Sequence, residues 1–439
     1  MDPADDGEEA ALRLGVVTRI RRDRPREPVV PALVSYTARL SAASIDAVAH
    51  GASIGDPGAA RRAALGEAIE RHCGNAVPGG LFRSPYRDLA GPALDPRTFA
   101  LYSRAQYASR GFPFVPMTAD LDIAWAPAQD LVDGSRVLVP ASLAYVNYFT
   151  GPRSAEPPTN YPVLAGTAAG TSPEQARVAA LREVLERDAV TLWWMSGAPA
   201  APLPPPDGPL AAAILQAEKS GLRVSLLRVP CPFDAMVAAA FVEDPERRVV
   251  GFGSACRATA GEAAAKAFTE AIGTYETGRE LLDEDSGFWR AVRERRIDHR
   301  PYRAHRPDRA YLDGVRPGWR DVNDVGLHVQ LHLDERLQGE RLDRLRDPTG
   351  PTGPPEATGP LRSLREQGLR AYAVDLTTPE VRAAGLSVAR VLVPGLYCNA
   401  PAAFPFLGGP RLLAEPVERG WVTGPLTEDD LIRQPLPFA

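Results

Sequence analysis

The segment ALREVLERDAVTLWW, residues 180–194, is an apolar helical run interrupted by Arg182, Glu183, Glu186, Arg187 and Asp188. Such a run is either a solvent-facing ladder or a helix that turns carboxylates and a guanidinium into a site. Two other stretches of the same chain decide between these. DPGAARRAALGEAIER (56–71), SPEQARVAALREVLER (172–187) and TAGEAAAKAFTEAIGT (259–274) align without a gap. Each opens on a residue suited to cap a helix: Asp56, Ser172 and Thr259. Pro57 and Pro173 follow where the missing N–H is harmless. Ser172 with Gln175, and Thr259 with Glu262, have capping-box spacing. Eleven residues after each cap stands a glutamate, Glu67, Glu183 or Glu270. Eleven residues is close to three helical turns, so each carboxylate holds the same place on its helix.

Small residues occupy the face one turn earlier: Ala63, Ala64, Ala179, Ala180 and Ala267, with Lys266 the exception. A glycine lies shortly before each cap, at Gly55, Gly170 and Gly253, which predicts a tight turn after a strand. The unit is therefore strand–turn–helix. In the first two copies a second acid follows at i+3 and an Arg at i+4, giving Glu70 with Arg71 and Glu186 with Arg187 on the same face. A solvent face has no reason to keep caps and acids in one register three times. Carboxylates converging from several helices suit a hard divalent cation, Mg2+ above all, which bridges to phosphate oxygens. An Arg beside them would meet a phosphate bidentately. These residues predict a nucleotide–Mg2+ site built from repeated helices. The chain contains neither GxxxxGK[ST] nor the HRD and DFG motifs, so it is neither a P-loop enzyme nor a protein kinase.

The remaining composition narrows the class. The 439 residues suffice for a large core, and a net charge of −5 gives no nucleic-acid footprint. The Arg-rich RERRIDHRPYRAHRPDRAY has acids among its bases and is read as a solvated helix and loop. The acidic start lacks the features of a secretory signal, and no run is long enough to span a membrane; a cytoplasmic protein is expected. Cys73, Cys231, Cys256 and Cys398 form no CxxC pair, against a disulfide framework or structural zinc. Short strands are expected at 222–229, 236–244, 327–333, 370–377 and 387–395, alternating with helices in an α/β (α+β) protein. The strand at 327–333 would place His328 and His332 on one sheet face. Pro-rich 196–209 ends a helix, and Pro/Gly-rich 346–360 is expected to be a surface loop or insertion.

Five segments, GASIGDPGAARRAALGEAIERHCG, GTAAGTSPEQARVAALREVLERDAVTLWW, SACRATAGEAAAKAFTEAIGTYETGREL, AVDLTTPEVRAAGLSVARVLVPGLYC and the closing PLPFA, occur in this order. Together they resemble the YcaO family, in its azoline-forming cyclodehydratase branch. The resemblance implies a YcaO-like catalytic domain over 41–439, repeated units packed around ATP and Mg2+, and a lead-in segment at 1–40. It implies ATP-dependent activation of backbone amides in a ribosomally made peptide. In that chemistry a Cys, Ser or Thr side chain attacks the preceding carbonyl, the oxyanion takes phosphate from ATP, and phosphate leaves to give a thiazoline or oxazoline. Thioamide or amidine formation by the same activation, or a non-catalytic scaffold subunit, are the alternatives.

Carried over by position, Glu67, Glu183, Glu186 and Glu270 resemble metal ligands, and Glu70 a nucleotide contact. Arg187 resembles a phosphate contact, and Ser53 and Gly55 fall in a nucleotide-binding loop. Pro435, Pro437 and Ala439 match a catalytic PxPxP tail in which the last Pro has become Ala. The loop here lacks the usual Lys, leaving Arg61, Arg62 or His50 to supply that contact, and Gly273 and Thr274 replace a usual Gln in the third helix. The family further implies a precursor peptide, a separate leader-peptide-binding partner of E1-like (ThiF-like) type, and a homodimer.

Overall fold

The computed structural model describes residues 15–24, 29–41, 48–350 and 359–438. Each predicted unit forms. Strand β3 (Val48–Ile54) leads into α1 (Pro57–Asn75), β7 (Thr167–Gly170) into α2 (Pro173–Ser196), and β11 (Val249–Arg257) into α4 (Ala260–Leu282). The caps close as the residue types require. The Asp56 carboxylate accepts from Ala59 N–H, the Ser172 hydroxyl from Gln175 N–H and the Thr259 hydroxyl from Glu262 N–H. Thr259 and Glu262 complete a capping box. Gln175 instead reaches back one residue further, to Thr171 N–H.

Three antiparallel sheets carry these helices. β1 (Val17–Arg22), β2 (Leu33–Leu40) and β3 lie in that order under α1. A second sheet runs β11, β10 (Met236–Asp244), β9 (Arg223–Arg228), β8 (Ala201–Pro202), with α3 (Gly208–Lys219) between β8 and β9 in sequence. The third runs β4 (Phe82–Ser84), β5 (Ile123–Asp130), β12 (Tyr372–Asp375), β13 (Ser387–Leu392), β7, and β6 (Arg136–Pro140) pairs with β5. The lead-in segment thus supplies two strands of the sheet that β3 completes.

Glycines set how closely helix and strand approach. Gly55, with φ 71°, makes the turn after β3. Gly253 is not in a turn but inside β11, where a Cβ would stand 2.3 Å from the Ala267 carbonyl oxygen. Gly51 in β3 plays the same part against α1, 2.0 Å from Ala64 N. The small residues on the helices meet these glycines, and Ala60, Ala64, Ala267 and Ala271 are fully buried.

The charges within α2 separate onto two sides. Asp188 is fully buried and held bidentately by Arg411 at 2.8 and 3.0 Å, with Tyr397 N–H also donating. Leu181, Leu185, Leu192 and Trp193 fill the core, Trp193 stacking on Phe252 of β11. α2 ends at Ser196, where Gly197 adopts φ 75° ahead of the Pro-rich segment.

One expected strand is wrong. Residues 326–331 form a helix, Gly326–Leu331, begun by Asp324 accepting from Gly326 N–H. All six residues are buried, so the alternating polar positions do not mark a solvent face. Gln330 hydrogen-bonds the Arg303 backbone through both amide atoms, and His328 Nε2 accepts from Ala402 N–H. His332 Nδ1 bonds the His328 carbonyl at 2.8 Å, so the two histidines are one helical turn apart rather than on a sheet. The Arg-rich stretch after the helix Gly287–Arg293 is loop, with Arg296, Arg300 and Arg306 paired to neighbouring acids. Of the Pro/Gly-rich segment, residues 351–358 lie outside the described residues, and a helix restarts at Pro360. No helix among the described residues is long and apolar enough to cross a membrane.

Candidate functional site

The three repeated helices border one open cleft of about 2090 Å³. Glu67 and Glu70 of α1, Glu183 and Glu186 of α2 and Glu270 of α4 all line it. Equal spacing from the caps delivers each acid to the same side of its unit. Protein donors hold them. Glu67 accepts from His50 N–H at 3.1 Å and pairs with Arg71. Glu183 accepts from Gly166 N–H at 2.8 Å, and Glu270 pairs with Lys266 at 3.0 Å.

Two of the acids reach into the next unit. Glu70 on α1 accepts from Ala169 N–H of β7 at 2.8 Å. Glu186 on α2 accepts from the Ser254 hydroxyl at 2.7 Å and Cys256 N–H at 3.1 Å, both on β11. Burial pushes the Glu70 carboxyl up to about 8, and the charges of Glu183 and Glu67 add to it. Burial likewise raises Glu186 to about 7; Arg187 opposes the shift and Glu270 adds to it. The carboxylates thus feel one another across unit boundaries, and a cation among them would favour their ionised forms.

Arg187 lies among them, largely buried. Burial works against its charge, but Glu186, Glu183 and Glu270 hold its pKa above the ordinary guanidinium value. Its Nη1 is 3.4 Å from Glu186 and its Nη2 is 3.5 Å from Glu183, yet Nε and Nη1 make no hydrogen bond. The guanidinium covers the Phe438 ring at 4.7 Å. The tail reaches this point along α2 and β11. Trp194 Nε1–H donates to the Gln434 carbonyl at 2.8 Å, and Phe252 N–H to the Pro437 carbonyl at 3.1 Å.

The expected site residues therefore divide. Glu67, Glu70, Glu183, Glu186, Glu270 and Arg187 share the cleft. Ser53 and Gly55 do not line it; the part of β3 that does is His50, Gly51 and Ala52, ending one residue before Ser53. Pro435 and Pro437 are buried beside the cleft, Phe438 is the tail residue that lines it, and Ala439 lies outside the described residues. Arg62 lines the cleft while Arg61 does not. Phe438 and Lys266 also line the cleft, beyond the expected site residues. Lys266, held protonated by Glu270, stands one turn before it and brings a cation to the acids. Its interruption of the small-residue face was the available signal.

Among the described residues no three Asp, Glu, His or Cys side chains are gathered tightly enough to hold a metal unaided. The donor set nevertheless fits a nucleotide-bound Mg2+. The ligands offered are carboxylate oxygens from three helices, and Mg2+ takes one or two carboxylates and completes its shell with phosphate and water. The unpaired N–H groups of Arg187 suit a phosphate oxygen.

Comparison with known proteins agrees. The family described as YcaO cyclodehydratase, ATP- and Mg2+-binding, matches residues 54–397. No curated protein matches the chain. Among solved structures, a heterocyclase in complex with substrate and cofactor is similar over 100% of this chain and 57% of its own, at 22% identity and TM-score 0.70. YcaO from Methanopyrus kandleri, bound with AMPPCP and Mg2+, is similar over 90% of this chain and 92% of its own, at 20% identity and TM-score 0.58. The E. coli microcin synthetase McbBCD complex is similar over 86% and 88%, at 13% identity and TM-score 0.58. These likenesses are of fold, and the chain spans little more than half of the first of these relatives. With the family match covering most of its length and the cleft assembled as its repeats foretell, the chain belongs to the YcaO cyclodehydratase family, whose members use ATP and Mg2+.

Proposed function

We propose that this chain uses ATP to activate backbone amides of a ribosomally made peptide and closes Cys, Ser or Thr side chains onto them as thiazolines or oxazolines. One observation carries this: five glutamates and Arg187, from three helices in matched register, line one cleft within the family match. Glu67, Glu183, Glu186 and Glu270 would hold Mg2+, and Glu70 and Arg187 would face the nucleotide. ATP, when bound, supplies the phosphoryl group that turns an amide oxygen into a leaving group. The chain's own residues do the rest. Arg187, held between Glu183 and Glu186, keeps unused hydrogen-bonding capacity at Nε and Nη1 that would serve developing phosphoryl charge. Phe438 packs against the guanidinium and limits its movement. The tail, whose Pro435 and Pro437 lead to Phe438 at the cleft wall, would position the peptide. A partner protein that presents the peptide, in the manner of a multi-subunit synthetase, is part of the proposal.

The test is mass spectrometry of a Cys/Ser/Thr-containing precursor peptide incubated with the chain, its partner, ATP and Mg2+. Loss of one water per modified residue, abolished in Glu183→Gln, is the expected result. Replacement of oxygen by sulfur would point to thioamide formation instead. An unmodified peptide with no ATP consumed would sink the proposal.

A further inference from the structure

The sheet under α1 has a second face, of which only one end borders the cleft described above. Ile20, Tyr36, Ala38 and Ala49 pack toward α1. On the opposite face Arg19 stands directly across from Arg39, and Arg21 across from Thr37, which in turn faces His50. Like charges in direct cross-strand register are destabilising, and a short sheet has no structural use for them. Asp23 accepts from the Thr37 hydroxyl and lies 3.8 Å from Arg21, and where the face meets the cleft Glu276 and Glu280 of α4 line the same wall as Arg21 and Arg24. Among the described residues Arg19, Arg24 and Arg39 have no ion-pair partner, although the chain as a whole is acidic.

This basic face runs into the cleft. Arg21, Arg24, Ser35 and His50 form part of its wall, and the His50 N–H is bonded to Glu67. A ligand on the face would therefore continue toward the acids. The patch is two strands wide with four arginines, fewer than the six to ten phosphate contacts of a typical nucleic-acid binder. Its size and its continuity with the cleft favour a peptide carrying several Asp or Glu residues.

We propose that the outer face of the β1–β2–β3 sheet binds an acidic segment of the substrate peptide and leads the adjoining residues into the cleft. In naming the ligand a substrate, this rests on the function proposed above. The arginines act by binding and orienting, not on reacting atoms.

The experiment is fluorescence anisotropy with a labelled oligoglutamate peptide, against oligolysine and neutral Ser/Gly peptides and a single-stranded oligonucleotide. Parent and the double variant Arg19→Glu/Arg39→Glu are compared at low and high salt. Both positions are exposed and lie outside the cleft lining, so folding and basal ATP hydrolysis should be unchanged. The parent should prefer oligoglutamate and lose it as salt rises. Reversing two exposed charges should weaken that binding about tenfold or more. Equal affinity of parent and variant, equal binding of oligolysine, or tighter binding of the oligonucleotide would overturn the proposal. A parent that binds oligoglutamate but never consumes ATP would instead sink the proposed function and leave this surface standing.

Discussion

Glu186 and Asp188 are two buried carboxylates two residues apart on α2, and they should fail in opposite ways. Glu186→Gln keeps the shape and both hydrogen bonds. The amide oxygen can accept from Cys256 N–H while the amide N–H2 donates to Ser254, whose hydroxyl rotates. The loss is the charge-assisted part of those bonds, about 1 kcal/mol, and removal of a buried charge offsets some of it. Charge at the cleft is what disappears, so ATP turnover should fall at least ~100-fold, as for other preorganised electrostatic groups. Asp188→Ala does the reverse. It strips Arg411 of a bidentate partner in the interior, where breaking a buried pair costs about 3–5 kcal/mol. Glu415, 3.0 Å from Arg411, remains, which puts the expected loss near the lower end, about 3 kcal/mol. Urea unfolding and ATP hydrolysis per folded molecule, measured on both variants, separate the two effects. Parental ATP turnover in Glu186→Gln, or parental stability in Asp188→Ala, would refute the assignment of the first acid to the site and the second to the core.

Three further outcomes are expected. Removing Pro435 to Ala439 takes Phe438 off Arg187 and should slow peptide modification ~10-fold or more while shifting ATP affinity little; equal loss in both, or in neither, reduces the tail to packing. Burial lowers His328 to about 3 and His332 to about 4 from an ordinary 6.5, so the unfolded chain takes up protons that the folded chain refuses as pH falls through that window. Near pH 5 this should cost about 2 kcal/mol per histidine, and His332→Gln should remove half of that acid sensitivity in urea titrations; a parent whose stability is flat from neutral to pH 5 contradicts it. Gly253→Ala places a methyl 2.3 Å from the Ala267 carbonyl, a backbone atom that cannot step aside, and should cost ~3 kcal/mol or more or prevent folding, as read by circular dichroism.

The parts of this molecule that could be read from sequence are those fixed locally. Caps at Asp56, Ser172 and Thr259 act within three residues, and a constant count from cap to acid survives any tertiary arrangement. β9, β10, β12 and β13 announced themselves by β-branched or apolar runs. What escaped depends on distant partners. The helix Gly326–Leu331 alternates like a strand because Gln330 and His328 find buried partners at Arg303 and Ala402. Asp188 owes its place to Arg411, 223 positions away. The stretch of β3 facing the cleft is His50 to Ala52 rather than Ser53 and Gly55, because the middle of the strand, where His50 N–H bonds Glu67, is the part beside the acids. Phe438 stands out only when its contact with Arg187 is seen.

The reach of Glu70 to Ala169 and of Glu186 to β11 ties one unit to the next through the very groups that look onto the cleft. Each works as a rivet as well as a ligand-facing acid. Had one copy shed its acid after the repeat arose, it would also have loosened its grip on its neighbour. Drift in the first two repeats is thereby held in check by architecture as well as by chemistry.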